Sequence, residues 1–134
     1  MAAYWHEVLV YLEDTDAQGV VYNASYFRFM ERARTDWLRV RGFDHRSFDE
    51  TLGLAVVLTS IEARFIAPGK LGEVLAVSAD LDELKGARAG FRQEVRRGSS
   101  DGNLIAEGRA EIACVDSTSH RARRWPGVFL ERLK

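Results

Sequence analysis

The chain has 134 residues, 46% of them hydrophobic and 29% charged, and its 19 basic and 20 acidic residues leave a formal net charge of -1. This composition predicts a single globular domain over residues 1–134, with no bulk field that would attract nucleic acid or an anionic membrane. No uncharged stretch reaches the roughly 20 residues of a membrane span, and the N-terminus lacks a secretion signal, so a cytoplasmic protein is expected.

The first predicted element is a short β-strand over residues 7–13, a β-rich and mostly apolar run. An acidic stretch, EDTDAQGVVYN, follows at residues 13–23. It partly fits a calcium loop, but the twelfth position holds Ser25 instead of a bidentate glutamate, and the segment follows a strand instead of a helix. A calcium site is therefore not expected, and no other metal site is indicated.

A turn is the simplest interpretation of the two aspartates in this stretch, because aspartate side chains accept hydrogen bonds from nearby backbone N–H groups. The turn accounts for one of the two. It explains less well why a carboxylate and Gly19 stand directly before a helix, whose N-terminal N–H groups can polarise a carbonyl. One of the two aspartates is therefore a candidate for chemistry.

A long amphipathic helix is predicted beyond residue 23, because large apolar residues recur at helical spacing. Its predicted buried face consists of Tyr26, Phe29, Met30, Ala33, Trp37 and Val40. Asn23 or Ser25 is expected to cap the first turn, and Gly42 fits the left-handed position after the last turn. The sequence also allows a short second helix over residues 45–52.

Four strands are predicted from about residue 55 onward, where apolar and polar residues alternate with a period of two. In the first of them, the residues expected to share the apolar face are Val57, Ile61, Ala63 and Phe65. Turn-forming residues separate the runs at 67–70, 85–86 and 98–103. The last strand covers residues 104–115 and includes Cys114, expected to be buried and inert; a helical tail is expected at 128–133.

The order of elements predicts an α+β fold, in which one long helix covers one face of a five-stranded antiparallel sheet. The opposite face is expected to remain partly apolar, which favours pairing with another subunit.

A family resemblance rests on EDTDAQGVVY at residues 13–22, ASY at 24–26 and ERAR at 31–34. These motifs closely resemble the signature of hotdog-fold acyl-CoA thioesterases of the YbgC-like and 4-hydroxybenzoyl-CoA thioesterase type. The likeness covers nearly the whole chain, including Ala67-Pro68 and Lys85-Gly86. It implies a long central helix wrapped by a five-stranded antiparallel sheet, in dimers that build active sites at their interface and often pair into tetramers. It implies no metal or organic cofactor.

The resemblance also implies the site residues. It places the catalytic carboxylate at Asp16 and the backbone N–H groups that meet the thioester carbonyl near Asn23. Asp14 is then interpreted as the turn residue. Gly19 supplies the tight backbone, and Tyr22 is expected to line the acyl pocket. The chain departs from many YbgC-like members by carrying Asn23 in place of a histidine and Leu12 in place of a tyrosine.

Three more residues are expected to contribute. Glu31 is a candidate supporting residue, and Lys85 and Arg88 match a region that contacts the coenzyme A nucleotide in some relatives. An equal candidate for the coenzyme A phosphates is the basic cluster Arg121, Arg123 and Arg124.

The predicted function is hydrolysis of an acyl-CoA thioester, with Asp16 either attacking the carbonyl or deprotonating water. Two alternatives remain: a non-catalytic acyl-binding protein, and a thioesterase acting on an acyl group held by a carrier protein. A dehydratase of the same fold would need a histidine paired with an acid near the central helix, and no such pair is expected. Acyl length and the choice between dimer and tetramer stay open.

Overall fold

The computed structural model describes residues 3–133. In chain order the elements are β1 (Tyr4–Leu9), a 3-10 turn (Leu12–Asp14), α1 (Asn23–Arg39), α2 (His45–Leu52), β2 (Leu54–Phe65), β3 (Val74–Lys85), β4 (Arg88–Arg97), β5 (Leu104–Asp116) and α3 (Gly127–Arg132). The five strands form one antiparallel sheet in the order β1-β3-β4-β5-β2. The predicted α+β hotdog architecture is confirmed, and β2 lies at the edge of the sheet beside β5.

Helix α1 lies on the inner face of the sheet and supplies the centre of the core. The predicted apolar face is buried at Tyr26, Phe29, Met30, Ala33 and Trp37. Val40 is the exception and is 60% exposed, because the helix ends at Arg39 and the chain turns away at Gly42, whose φ is +87° as predicted. Each large apolar side chain in this face stabilises the fold by about 1.5–3 kcal/mol.

The predicted bounds of the first strand were wrong, since β1 spans Tyr4–Leu9 instead of residues 7–13. The Asp14 carboxylate accepts a hydrogen bond from the Tyr11 N–H at 2.9 Å, and the Asp14 N–H donates to the Tyr11 carbonyl at 3.0 Å. These two bonds close a turn that takes Leu12 and Glu13 out of the sheet.

Strand β2 contains a bulge that changes which residues face the core. Its register with β5 shifts between Leu58 and Ser60, so one extra residue, Thr59, interrupts the alternation. Leu58 therefore lies on the inner side with Ile61, and Val57 does not share that face, contrary to the sequence prediction.

The outer face of the sheet is charged in its middle, where the sequence predicted a partly apolar surface. The charged side chains on neighbouring strands are Glu62, Arg64, Arg92, Glu94, Glu107 and Arg109. Ion pairs join Arg64 to Glu107 at 3.2 Å and Arg109 to Asp82 at 2.6 Å. Exposed apolar side chains lie instead along the free edge, at Val57, Leu58, Phe65 and Ile66.

An aromatic cluster closes the C-terminal end of α1. It consists of Trp37, Phe43, Phe48, Phe91, Trp125 and Phe129, all buried. The predicted helices α2 and α3 are both confirmed, and α3 brings Phe129 into the cluster. Cys114 is buried as predicted, and burial raises the pKa of its thiol. Within residues 3–133, no helix is both long and apolar enough to cross a membrane.

Candidate active site

Asp16 lies in a tight loop between the 3-10 turn and α1. The Asp16 N–H donates to the Val20 carbonyl at 2.9 Å, and the Gly19 N–H donates to the Asp16 carbonyl at 3.0 Å. Gly19 has a φ of +77°, which favours glycine. One carboxylate oxygen of Asp16 accepts from the Gln18 N–H at 2.8 Å, and the side chain is exposed. The loop thus holds Asp16 in place and leaves its second carboxylate oxygen without a hydrogen bond from any residue of the described range.

Asp14 has a different environment, since it is only 5% exposed. In addition to its bond with Tyr11, its carbonyl accepts from the Tyr22 N–H at 2.9 Å and from the Ser25 hydroxyl at 3.0 Å. Asp14 therefore links the 3-10 turn to the start of α1, which agrees with its interpretation as a turn residue.

The start of α1 has no side-chain cap, so the expected capping by Asn23 or Ser25 was wrong. Tyr22 occupies the capping position in an extended conformation, and its side chain makes no capping bond. The Ser25 hydroxyl donates to the Asp14 carbonyl instead. The Ser25 N–H donates to the Tyr22 carbonyl at 2.8 Å. No acceptor in residues 3–133 takes the backbone N–H of Asn23 or Ala24. These two N–H groups, at the positive end of the helix dipole, are available to a ligand.

A second loop, between β2 and β3, supports the Asp16 loop and was not assigned from the sequence. The Val21 N–H donates to the Gly69 carbonyl at 2.8 Å, and the Leu71 N–H donates to the Gly19 carbonyl at 3.0 Å. The Gly69 N–H donates to the Tyr26 hydroxyl at 3.0 Å, and burial raises the pKa of Tyr26, which keeps the phenol neutral. A methyl group at Gly69 would lie 3.1 Å from that hydroxyl. The sequence signal was the turn Ala67-Pro68-Gly69.

The surface beside these loops is apolar. Its exposed side chains include Tyr11, Leu12, Tyr22 and Leu71, and Leu12 is 74% exposed. An apolar surface next to a carboxylate and two free N–H groups suits a ligand with a polar reacting group and an apolar body.

The structure brings together only part of the predicted site. Asp16, Gly19, Tyr22 and Asn23 share the loop and helix start, although the Gly19 N–H is committed to the turn. Glu31 lies eight residues beyond Asn23, about 12 Å along the helix, where it accepts from the Thr35 hydroxyl at 3.3 Å. Within one chain, Glu31 is therefore too far along the helix to contact Asp16.

Lys85 and Arg88 lie at the opposite end of the sheet from Asp16. Val74 is at the end of β3 near the Asp16 loop, and Lys85 is at the other end of this strand. Lys85 is eleven positions after Val74, which corresponds to about 36 Å of strand. The two basic candidates meet there: Trp125, next to Arg124, donates from its backbone N–H to the Gly86 carbonyl at 3.4 Å and from Nε1 to the Arg88 carbonyl at 3.2 Å. Lys85, Arg88 and Arg124 therefore lie at the same end of the sheet and are all exposed; we call these three residues the basic surface.

A histidine paired with an acid does lie near the central helix, between His6 of β1 and Asp36 of α1, so the expectation that none exists was wrong. His6 Nδ1 lies 2.8 Å from the Asp36 carboxylate, which also accepts from Arg39 at 3.2 Å. Asp36 is thirteen residues, about 20 Å, along the helix from Asn23. The pair is thus separate from the Asp16 loop. No group of three or more His, Cys, Asp or Glu side chains in the described range is placed to hold a metal ion.

The chain belongs to the thioesterase-like superfamily, whose family model matches residues 10–133. The acyl-CoA thioesterase YbgC of Haemophilus influenzae is 38% identical over 109 residues, covering 81% of this chain and 78% of that protein. The acyl-CoA thioester hydrolase YbgC of Escherichia coli O6:H1 is 32% identical over 127 residues, covering 95% and 92%.

A crystal structure of a probable thioesterase from Bartonella henselae matches this fold with a TM-score of 0.86 at 31% identity. The match covers 93% of this chain and 100% of that one. Together with the sequence relatives, it confirms the family resemblance drawn from the DTDAQG and ERAR motifs.

Proposed function

We propose that this protein hydrolyses acyl-CoA thioesters to a free acid and coenzyme A. The relatives named above as acyl-CoA thioesterases and thioester hydrolases support this activity. The observation that carries it is the exposed Asp16 carboxylate, held in a tight loop directly before a helix start with two unbonded N–H groups.

In the proposed mechanism, the thioester carbonyl oxygen accepts hydrogen bonds from the N–H groups of Asn23 and Ala24. These donors stabilise the negative charge that develops on that oxygen, and one such donor contributes roughly 3–4 kcal/mol to the transition state. Asp16 either removes a proton from the attacking water or itself attacks the carbonyl carbon, giving a mixed anhydride that water cleaves. In both routes the carbon–sulfur bond breaks and the thiolate of coenzyme A takes up a proton.

The test is release of free thiol from short, long and aromatic acyl-CoA esters. Asp16→Asn keeps the size of the side chain and removes its charge, so hydrolysis should fall by about 10²–10⁴-fold with an unchanged melting temperature. Glu13→Gln, an exposed carboxylate three residues away, is the matched control and should retain activity. Full turnover by Asp16→Asn would refute the assignment of Asp16.

Direct attack by Asp16 is tested by a single turnover in ¹⁸O-labelled water with excess enzyme. If water cleaves the anhydride at the aspartyl carbon, one ¹⁸O enters the Asp16 carboxylate and an ¹⁶O of Asp16 leaves with the released acid, so label in Asp16 establishes direct attack. General-base catalysis places one ¹⁸O in the acid and none in Asp16, and so does anhydride cleavage at the acyl carbon.

We also propose that the working form is at least a dimer, joined through the free edge of β2. This edge has exposed Val57, Leu58, Phe65 and Ile66, and β2 ends the strand order of the sheet. A two-fold axis would pair β2 with its copy in antiparallel orientation. The Leu54 end of one copy would then lie beside the Phe65 end of the other, which brings the partner's basic surface to the same end of the sheet as Asp16.

This arrangement explains how Lys85, Arg88 and Arg124 could contact the coenzyme A phosphates although they are far from Asp16 in one chain. Leu58→Glu should give a monomer by light scattering and lose most activity, while Val128→Glu, an exposed apolar position on α3, should leave both unchanged. A fully active monomer would contradict the composite site. A tetramer of such dimers is the larger assembly that the same measurement would detect.

Two alternatives are distinguished when the thiol assay is run with acyl-CoA and also with an acyl group carried by acyl carrier protein. A non-catalytic acyl-binding protein, favoured by Asn23 in place of a titratable histidine, would bind acyl-CoA without releasing thiol. A thioesterase specific for carrier-bound acyl groups would release thiol only from the acyl carrier protein. We propose a cytoplasmic location for the 1–134 domain, which the single, buried Cys114 supports.

A further inference from the structure

A cavity of about 140 Å³ lies between α1, α2 and the inner face of β2, β4 and β5. Its apolar walls are Leu38, Val56, Leu58, Phe91 and Ile112. None of the Asp16 loop residues lines it. Within one chain the cavity is therefore separate from the Asp16 loop, although its wall residue Leu58 also belongs to the β2 edge proposed for the dimer.

The polar group of this cavity is the guanidinium of Arg34, which is only 8% exposed. Arg34 Nη1 donates to Gln93 Oε1 at 2.8 Å. Gln93 is itself fixed, because its Nε2 donates to the Met30 carbonyl at 2.9 Å and to the Ser78 carbonyl at 3.0 Å. The orientation of the guanidinium is thus set by a buried amide that is bonded at both ends.

Most donors of this guanidinium have no acceptor. A guanidinium carries five N–H groups, and among residues 3–133 Arg34 makes one side-chain hydrogen bond and no ion pair. Burial lowers the pKa of Arg34, and the negative charge of Glu31 acts in the opposite direction, but an arginine stays protonated in proteins. Glu31 is thus a nearby charge, but no carboxylate of residues 3–133 lies within ion-pair distance of the Arg34 guanidinium. Burial of a charge that is not directly paired is unfavourable by several kcal/mol.

A carboxylate is the ligand that fits this group best. Its two oxygens match the planar fork of a guanidinium, and the resulting charge-assisted bonds are about twice as strong as neutral ones. The apolar walls fit the aliphatic part of such a ligand. An apolar cavity of about 150 Å³ accepts benzene, so about six non-hydrogen atoms is the size expected here.

We propose that this cavity binds a short aliphatic carboxylate of about six non-hydrogen atoms, with its carboxylate on Arg34 and its chain between Phe91 and Ile112. The ligand class includes acids that thioester hydrolysis would release. The site is nevertheless assigned from Arg34 and its cavity alone, and its test involves no hydrolysis.

Two residues at the rim set the local potential. Glu31 adds a negative charge that repels a carboxylate, and His45 stands at the exposed first position of α2. Glu31→Gln should therefore tighten binding roughly two- to threefold, and His45→Glu should weaken it roughly two- to threefold. Both changes are at exposed positions and leave the bond between Arg34 and Gln93 in place.

The experiment is calorimetric titration of the full chain with butyrate and with butyramide, which has the same number of non-hydrogen atoms and no charge. Butyrate should bind about tenfold more tightly than butyramide, because its hydrogen bonds to Arg34 are charge-assisted. Arg34→Gln should remove this preference, and Arg32→Gln, an exposed arginine of the same helix, should keep it.

Equal binding of the two probes would overturn the proposal, as would an Arg34→Gln variant that still prefers butyrate. So would the lack of a saturable heat with butyrate up to about 50 mM, well above the millimolar constant that six atoms can give. If Arg34→Gln does not fold, the opposite shifts in Glu31→Gln and His45→Glu decide the question, since a site that ignores both charges is not an anion site.

Discussion

The two ends of helix α1 differ in how their backbone groups are satisfied. At the C-terminal end, the closed end, the carbonyls of Trp37, Leu38 and Arg39 accept hydrogen bonds at 2.9–3.1 Å from residues of the following turn. At the N-terminal end, the open end, the N–H groups of Asn23 and Ala24 find no acceptor within residues 3–133. The backbone carbonyls at the C-terminal end of α1 are therefore hydrogen-bonded within the fold, whereas two N–H groups at its N-terminal end are not.

The side chains around the two ends follow the same division. At the closed end, Phe48 and Trp37 are fully buried in the aromatic cluster. At the open end, Tyr22 is 56% exposed and lies beside the exposed Asp16. Burial stabilises the fold, whereas exposed apolar surface beside unpaired donors is favourable only when something else covers it. The comparison predicts that substitutions at the closed end change stability and those at the open end change activity.

Phe48→Ala should have the largest effect on stability. Phe48 is fully buried and stacks on Phe43 with a centroid distance of 5.2 Å, so its removal should lower the free energy of unfolding by about 3–5 kcal/mol. Urea unfolding measures this loss. The remaining folded protein should keep its turnover number, and a parallel fall in turnover per folded molecule would show that the closed end also shapes the site.

Asn23→Pro should have the largest effect on activity at the open end outside Asp16 itself. Proline is well accepted at the first position of a helix, and Tyr22, with φ −70° and ψ 141°, already has the extended conformation required before proline. The change removes one N–H group, so turnover should fall by about 10²–10³-fold with little loss of stability.

Asn23→Ala is the matched control for this prediction, since it removes the side chain and keeps the N–H group. It should retain most of the activity. If Asn23→Ala is as damaged as Asn23→Pro, the side-chain amide and not the backbone donor contributes to catalysis, and the oxyanion role assigned to the helix start is incorrect.

The features of the two helix ends that depend on contiguous residues could be predicted from the sequence. The DTDAQG turn, the α1 pattern and Gly42 are contiguous signals, and the structure follows them. What depends on pairing between distant residues was not accessible: the His6–Asp36 contact joins residues 30 positions apart, and the bulge at Thr59 reverses the side to which Leu58 and Val57 point. The alternation of apolar and polar residues in the sequence does not show where a strand contains an extra, bulged residue.

The contributions of Glu31, Lys85 and Arg88 could not be settled from sequence for a related reason. A sequence motif suggests a role for each residue but does not give the distances between residues. In the structure, all three residues lie far from Asp16 within one chain, Glu31 along the helix and Lys85 and Arg88 along the strands. The Asp16 loop and the helix start are close in sequence and are linked through Asp14, so their proximity could be predicted locally.

Asp14→Ala should affect both properties, because Asp14 links the 3-10 turn to the open end. Loss of the buried acceptor leaves the Tyr11 N–H unpaired, which should reduce the free energy of unfolding by about 1–3 kcal/mol. Activity should fall as the Asp16 loop loosens. Asp14→Asn retains an acceptor oxygen and should recover much of the stability in the same urea titration; an equally unstable Asn variant would mean that the charge, near Arg28 at 3.8 Å, matters more than the bond.

Gly19→Ala and Gly53→Ala give the smallest and most direct comparison of the two regions. Gly19 has φ +77° in the open-end loop and Gly53 has φ +64° after α2, and a methyl group at either position meets no atom within 4 Å. The backbone strain is therefore the same in kind, about 1–2 kcal/mol for each. Thermal unfolding should show similar losses, but only Gly19→Ala should lower turnover, because only that strain can shift Asp16. Equal turnover in the two variants would mean that the Asp16 loop tolerates displacement, and that its tight backbone serves the fold instead of the reaction.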